Sequence, residues 1–212
     1  MKAYCHLKAV PMRADASDRA EMVNQLLLGD TAEIIEHQER WSLLQCTYDG
    51  YRGWVDNKQF IPFDSAADLA ERLFLDTPYL WGGRSTGGID CSGLTQVCFK
   101  ALGIWLPRDA SQQITCGVEV CLCDHCGSRV QCQSRLSTAE MERCVRSKVQ
   151  RDDLAFFQNA DGRIVHVGIC MGDGHIIHSS GHVHIDMLDS KGIYNEKTGI
   201  YSHSLCCLRR IR

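Results

Sequence analysis

The clearest helical period in the chain begins just after its one long glycine-rich stretch. Leu94, Val97, Cys98, Ala101 and Leu102 fall at i, i+3, i+4, i+7 and i+8, and Gly103 follows as a stop. A second apolar stripe, Ala66, Leu69, Ala70, Leu73 and Phe74, predicts a helix over 65–75, with Ser65 as its N-cap and Pro78 closing the segment. Elsewhere the pattern is that of strands. Leu26 to Glu36 reads as a turn into a strand and Trp41 to Cys46 as the next, and Asp49-Gly50 turns the chain into Tyr51 to Val55. These short strands with polar turns predict a separate small β-barrel over residues 1–62. Farther on, Arg163 to Cys170 alternates, with Ile164, His166 and Gly168 on one face and Val165, Val167 and Ile169 on the other. Gly172-Asp173-Gly174 then leads into His175 to Ser180, so the two segments predict a hairpin that brings His178 near His166.

Composition narrows the classes. The 212 residues allow one large or two small domains, and 44% apolar with 23% charged residues is ordinary for a globular chain. A net charge of −3 argues against nucleic-acid binding as the main task. No apolar run approaches the roughly 18 residues that span a bilayer. Met1 to Val10 holds no apolar signal core, which predicts a cytoplasmic protein, or an exported or envelope protein if a leader has been trimmed. Thirteen cysteines, an odd number, favour a reducing compartment.

Among those cysteines Cys91 stands apart. Most cysteines are small buried apolar residues. Cys91 instead lies between Asp90 and Ser92, after Gly82-Gly83 and Gly87-Gly88, at the first turn of the predicted helix. Free N–H groups and the helix dipole favour a thiolate there, the nucleophilic form. A base is needed downstream. His166 is the candidate, and His178 in neutral form can fix its tautomer. Taken singly, each histidine reads more readily as a half-buried strand residue; taken with Cys91, the two read as catalytic.

These residues resemble the NlpC-type bacterial cell-wall cysteine peptidases. The matching blocks, in the family's order over 66–212, are Pro78 to Gly83, Asp90 to Gly93, Leu106 to Gln113, Asp152 to Phe157, His166 to Ile169 and His178 to Ser180. The resemblance implies an α+β fold: a papain-like catalytic domain over 66–212 preceded by a small SH3-like β-barrel. It implies Cys91 as nucleophile, His166 as general base and His178 as the orienting third member. Within the family the chain is most similar to enzymes that cut γ-D-glutamyl-L-diamino acid bonds in peptidoglycan stem peptides bearing a free N-terminal L-alanine. That likeness implies Asp90 as partner of the substrate ammonium, with Ser92 and Tyr79 lining the site and Glu21 and Tyr51 of the first domain capping the substrate. The implied partners are peptidoglycan-derived peptides, in murein peptide recycling or turnover, with no metal and no cofactor. A thiol acyltransferase or deamidase on the same fold, or a non-catalytic wall-binding protein, are the alternatives.

The departure from the family is a cysteine-rich insertion at about 115–149, with Cys116, Cys121, Cys123, Cys126, Cys132 and Cys144. Cys123-Asp124-His125-Cys126 can open a zinc site, but the second C-x-x-C is missing, so free thiols are expected, with zinc and disulfides as alternatives. Ser137 to Glu140 resembles a capping box and predicts a short helix from Met141 to Val149.

Overall fold

The computed structural model describes residues 1–120 and 138–211. Its internal contacts divide the chain into two units, Met1–Leu73 and Phe74–Arg212.

The first unit carries seven strands: β1 (Lys2–Tyr4), β2 (Ala9–Arg13), β3 (Met22–Leu27), β4 (Thr31–His37), β5 (Trp41–Cys46), β6 (Arg52–Asp56) and β7 (Ile61–Phe63). They form one sheet in the order β3-β2-β6-β5-β4-β1-β7. Alternation along β2 and β6 puts Val10, Met12 and Val55 inward, where they meet Leu26, Leu44, Cys46 and Phe60. A sheet that buries one face on itself must curl, and bulges after Met12 and Ile34 provide the extra bend. Each large side chain so buried contributes about 1.5–3 kcal/mol. The outermost strands, β3 and β7, share no ladder among the described residues.

Helix α1 (Ala66–Phe74) follows. Ser65 caps it: its hydroxyl accepts the Asp68 N–H at 3.1 Å. Two residues past its end, Asp76 takes a left-handed φ of 63°.

In the second unit a two-stranded ribbon, β8 (Arg84–Ser85) and β9 (Gly88–Ile89), leads into α2 (Cys91–Ala101) and the short α3 (Ala110–Gln113). Next come β10 (Val118–Glu119), α4 (Thr138–Lys148), β11 (Leu154–Gln158), β12 (Ile164–Cys170), β13 (His175–Ser180), β14 (His182–Leu188), β15 (Gly192–Asn195) and β16 (Ile200–Arg210). The sheet order is β10-β16-β11-β12-β13-β14-β15, and β15 pairs again with β16. Strands β11 to β16 therefore form a closed hydrogen-bonded circuit. The long β16 makes this possible: His203 and Tyr201 pair with β15, whereas Leu205 to Arg209 pair with β11. Phe157, Ile176, Leu188, Ile193, Leu205 and Leu208 form a core cluster of these strands, joined by Val145 of α4.

The turn between β12 and β13 positions the site. Ladder pairing covers only Ile169 with Ile177 and Cys170 with Ile176. Gly168 is the next residue, and a Cβ there would lie 2.6 Å from Ile176 and 3.0 Å from the Cβ of His178. The strands part beyond it, and His166 and His178 fill the gap. The proposed capping box at Ser137 and the cysteines from Cys121 to Cys132 lie outside the described residues, as does the side chain of Cys144. Cys116 is a half-buried free thiol.

Candidate active site

The nucleophile end is built around one carboxylate. Asp90 is the N-cap of α2, in extended conformation, and its Oδ1 accepts the Gly93 N–H at 2.7 Å. Its Oδ2 accepts the Gly82 N–H, also at 2.7 Å, which draws the glycine loop onto the helix start. The approach is too close for any side chain: a Cβ on Gly93 would sit 2.4 Å from the Gly83 carbonyl oxygen. The Arg108 guanidinium forks onto the same carboxylate, Nη1 to Oδ1 at 2.9 Å and Nη2 to Oδ2 at 2.6 Å. Ser92 Oγ accepts from Arg108 at 2.9 Å. Burial raises the cost of the charge on Asp90, but Arg108 and the two backbone N–H groups outweigh it and hold the carboxyl below its usual range. The buried Gln113 locks the far side. Its amide donates to the Ser92 and Pro107 carbonyls at 3.0 and 2.8 Å and accepts from Thr95 Oγ1 at 2.7 Å.

Cys91 is thus the first helical residue of α2, and it is buried. The expected thiolate is corrected here. Burial pushes the thiol up, and neither the Val167 backbone N–H nor the helix-start amides compensate. The resting group is a thiol that needs a base. The Val167 N–H that faces the sulfur belongs to the residue beside His166, and α2 packs against β12 here. A cleft of about 660 Å³ opens here, lined by Tyr79, Trp81, Asp90, Cys91, Ser92, Arg108 and Val165 among others.

The base end is a chain of hydrogen bonds. His166 Nε2 meets His178 Nδ1 at 2.9 Å, and His178 Nε2 meets Asp186 Oδ2 at 3.2 Å. A carboxylate only accepts, so His178 carries its proton on Nε2. Its Nδ1 then accepts from His166 Nε2–H, which leaves the lone pair of His166 on Nδ1. Both rings are buried, and burial pushes both imidazoles below their ordinary value, His166 far below. Asp186 opposes the shift at His178. Neutral rings with an ordered proton chain are therefore the resting state.

His166 also stacks on His203 of β16, with ring centroids 4.1 Å apart. Burial pushes His203 down to about 4. Asp186 itself accepts from Asn195 Nδ2 at 3.0 Å and faces His184 Nε2 at 3.1 Å.

Of the residues singled out from sequence, the structure brings Asp90, Cys91, Ser92 and Tyr79 to one cleft and joins His166 to His178. Tyr79 is half-buried, and burial pushes its phenol up. Glu21 and Tyr51 belong to the first unit and are exposed; the Tyr51 hydroxyl donates to the Val23 carbonyl at 3.3 Å. Asp186, His184, His203 and the fork of Arg108 were missed. A signal for two of them exists: His182, His184 and Asp186 alternate with Val183 and Ile185, which puts three polar groups on one strand face.

Two family models match the chain: the NlpC/P60 family over residues 76–202, and the bacterial dipeptidyl-peptidase Sh3 domain over residues 12–60. A γ-D-glutamyl-L-lysine dipeptidyl-peptidase of Bacillus subtilis is 34% identical over 165 residues, covering 74% of this chain and 46% of the relative. The protein of the same name from Bacillus cereus is 33% identical over 146 residues, 66% of this chain and 37% of the relative. The chain thus spans less than half the length of these curated relatives. A crystal structure of an NlpC/P60 family protein from Bacillus cereus superposes with a TM-score of 0.51 at 22% identity, covering 99% of this chain and 62% of that one.

Proposed function

The chain belongs to the NlpC/P60 family and carries a cysteine-peptidase site, and on that premise we propose that it hydrolyses the γ-D-glutamyl-L-diamino acid bond of peptidoglycan stem peptides, with Cys91 as nucleophile. The observation that carries this reading is the ordered chain from Asp186 through His178 to His166, beside a thiol that burial keeps protonated. In this reading Cys91 gives its proton to His166 Nδ1 as the sulfur attacks the γ-carbonyl carbon of D-glutamate. The imidazolium so formed donates through Nε2 to His178, which leans on the Asp186 carboxylate. The backbone N–H of Cys91, at the first position of α2, meets the developing oxyanion, since the first amides of a helix lack intrahelical acceptors. His166 then protonates the leaving amine, and water releases the acyl group.

The substrate class rests on the relatives, which are named for γ-D-glutamyl-L-lysine, and on the Sh3 model, which is named for dipeptidyl-peptidases. Asp90 is our candidate partner for the ammonium of the N-terminal L-alanine. Because Arg108 already neutralises it, an ammonium has to share the carboxylate with that guanidinium.

Incubation of reduced protein with L-Ala-γ-D-Glu-L-Lys, followed by mass spectrometry, tests the reading. Release of L-Ala-γ-D-Glu by the wild type and not by Cys91→Ala is the expected result. No cleavage by folded wild type, or equal cleavage by both proteins, overturns it.

A further inference from the structure

The geometry points to a divalent-cation site, formed by His178, His184 and Asp186, whose occupancy by zinc switches off the base. The inference rests on the catalytic reading above for its effect on rate, but the site itself stands on the donors and acceptors of β13 and β14.

His184 is the odd member of the cluster. Its Nδ1 lies 2.8 Å from the His182 carbonyl oxygen, and its Nε2 lies 3.1 Å from Asp186 Oδ2. Both partners only accept, whereas a neutral imidazole has one N–H. Both contacts are satisfied together only by a positive charge at this point, either a second proton on the ring or a metal ion in its place. Asp186 Oδ2 already receives His178 Nε2–H, so the cation belongs between His184 Nε2 and the carboxylate. One ligand atom each from His178, His184 and Asp186 lies within 4.8 Å of the others. Tetrahedral zinc with bonds of about 2.0–2.2 Å needs ligand atoms roughly 3.4 Å apart, which small side-chain rotations reach. His178 is buried and His184 half-exposed, so an ion enters past His184, and a water completes the four ligands.

Binding reverses the proton chain. Zinc on His178 Nε2 requires its lone pair, so the proton moves to Nδ1. His178 Nδ1–H then donates to His166 Nε2, and the His166 proton moves to Nδ1. The two rings hold two protons before and after, so nothing is gained or lost. The atom that would accept the thiol proton now carries one of its own. Inhibition thus needs no occupant in the cleft.

Cobalt(II) chloride, as a zinc surrogate, is titrated into the reduced full chain by absorption. A d–d band from nitrogen and oxygen ligands should appear in the wild type and vanish in His184→Ala, with equal far-ultraviolet circular dichroism. Sulfur-to-cobalt charge transfer from the cysteines, where present, should be the same in both. Equal d–d bands in the two proteins overturn the site. Long-range ¹H–¹⁵N imidazole spectra with zinc should move His166 from the Nε2–H to the Nδ1–H tautomer; zinc bound without that change overturns the switch. Zinc should inhibit peptide hydrolysis reversibly, with chelator restoring it, and His184→Ala, scaled to its own metal-free rate, should need at least tenfold more. Equal inhibition of both proteins also overturns the switch. If no peptide is cut, the catalytic reading fails, while the cobalt and imidazole measurements still decide the site.

Discussion

Asp90 and Asp186 are both buried carboxylates of one domain, yet they are held by opposite kinds of partner. Asp90 sits between a permanent cation, Arg108, and two backbone N–H groups, none of which titrates near neutral pH. Asp186 sits between two imidazoles and an amide. The first arrangement is rigid by chemistry: it anchors the glycine loop and the start of α2, and nothing there has a second protonation state to visit. The second is adjustable, because each imidazole can exchange the atom that carries its proton. A nucleophile has to be placed, whereas a base has to move a proton, and the two ends of the site differ accordingly.

Removing the reacting atom is the most severe way to probe this contrast. Cys91→Ala should lower kcat/KM at least about 10⁴-fold, as loss of a nucleophile does elsewhere, with unfolding temperature nearly unchanged. Residual turnover within tenfold of wild type would mean the rigid end does not hold the nucleophile.

Asp186→Asn comes next. The amide can donate to His178 Nε2, which inverts the tautomer chain, so kcat should fall by up to about 10⁴-fold. The acid limb of the pH–rate profile should also move to lower pH, because the anion that favours imidazolium is gone. A lower rate with an unshifted limb would make Asp186 only a packing residue. Arg108→Ala should act on the other observable. Losing one partner of a fully buried ion pair costs about 3–5 kcal/mol, and with the Arg108 side chain 29% exposed about 2 kcal/mol is expected, read as a lower urea midpoint. A pH–rate limb that moved as far as in Asp186→Asn would erase the distinction between the two carboxylates.

How much of this was visible in the chain follows from the same contrast. Asp90, Cys91, Ser92 and Gly93 do their work as neighbours, as cap, nucleophile, hydroxyl and close-approach glycine, so four consecutive letters carry it. The β12–β13 hairpin was visible as well, through alternation and a glycine turn. Arg108 was visible as a letter in a motif, but its fork onto Asp90 bridges 18 residues and is a tertiary fact. Asp186 and His184 lie on the strand after the hairpin, where the alternation of His182, His184 and Asp186 was present but unread. The closed circuit from β11 to β16 depends on β16 changing partners midway, which no local pattern encodes. The thiolate expectation failed because a helix start acts locally, whereas burial of Cys91 is set by the whole fold.

The smallest effect separates the two ends by pH in metal-free protein with chelator present. Burial holds His166, His178 and His203 below their ordinary value, so as pH falls through about 6.5 the unfolded chain takes up protons first. Their contribution is complete above that pH and drains away between about 6.5 and 4, the value reached by His203. Asp90 and Asp186 are also held low, but unfolded carboxylates protonate only near 3.9, so their share is lost at lower pH still. The urea midpoint should therefore fall in two limbs. His203→Phe, which keeps a ring against His166, should shrink the upper limb by on the order of 1 kcal/mol, allowing for its partial exposure, and leave the lower one intact. Arg108→Ala should do the reverse, because without the guanidinium Asp90 is no longer held as low. A midpoint flat from pH 6.5 to 4.5 would show that the histidines are not buried neutral, and the ordered proton chain from Asp186 to His166 would go with them.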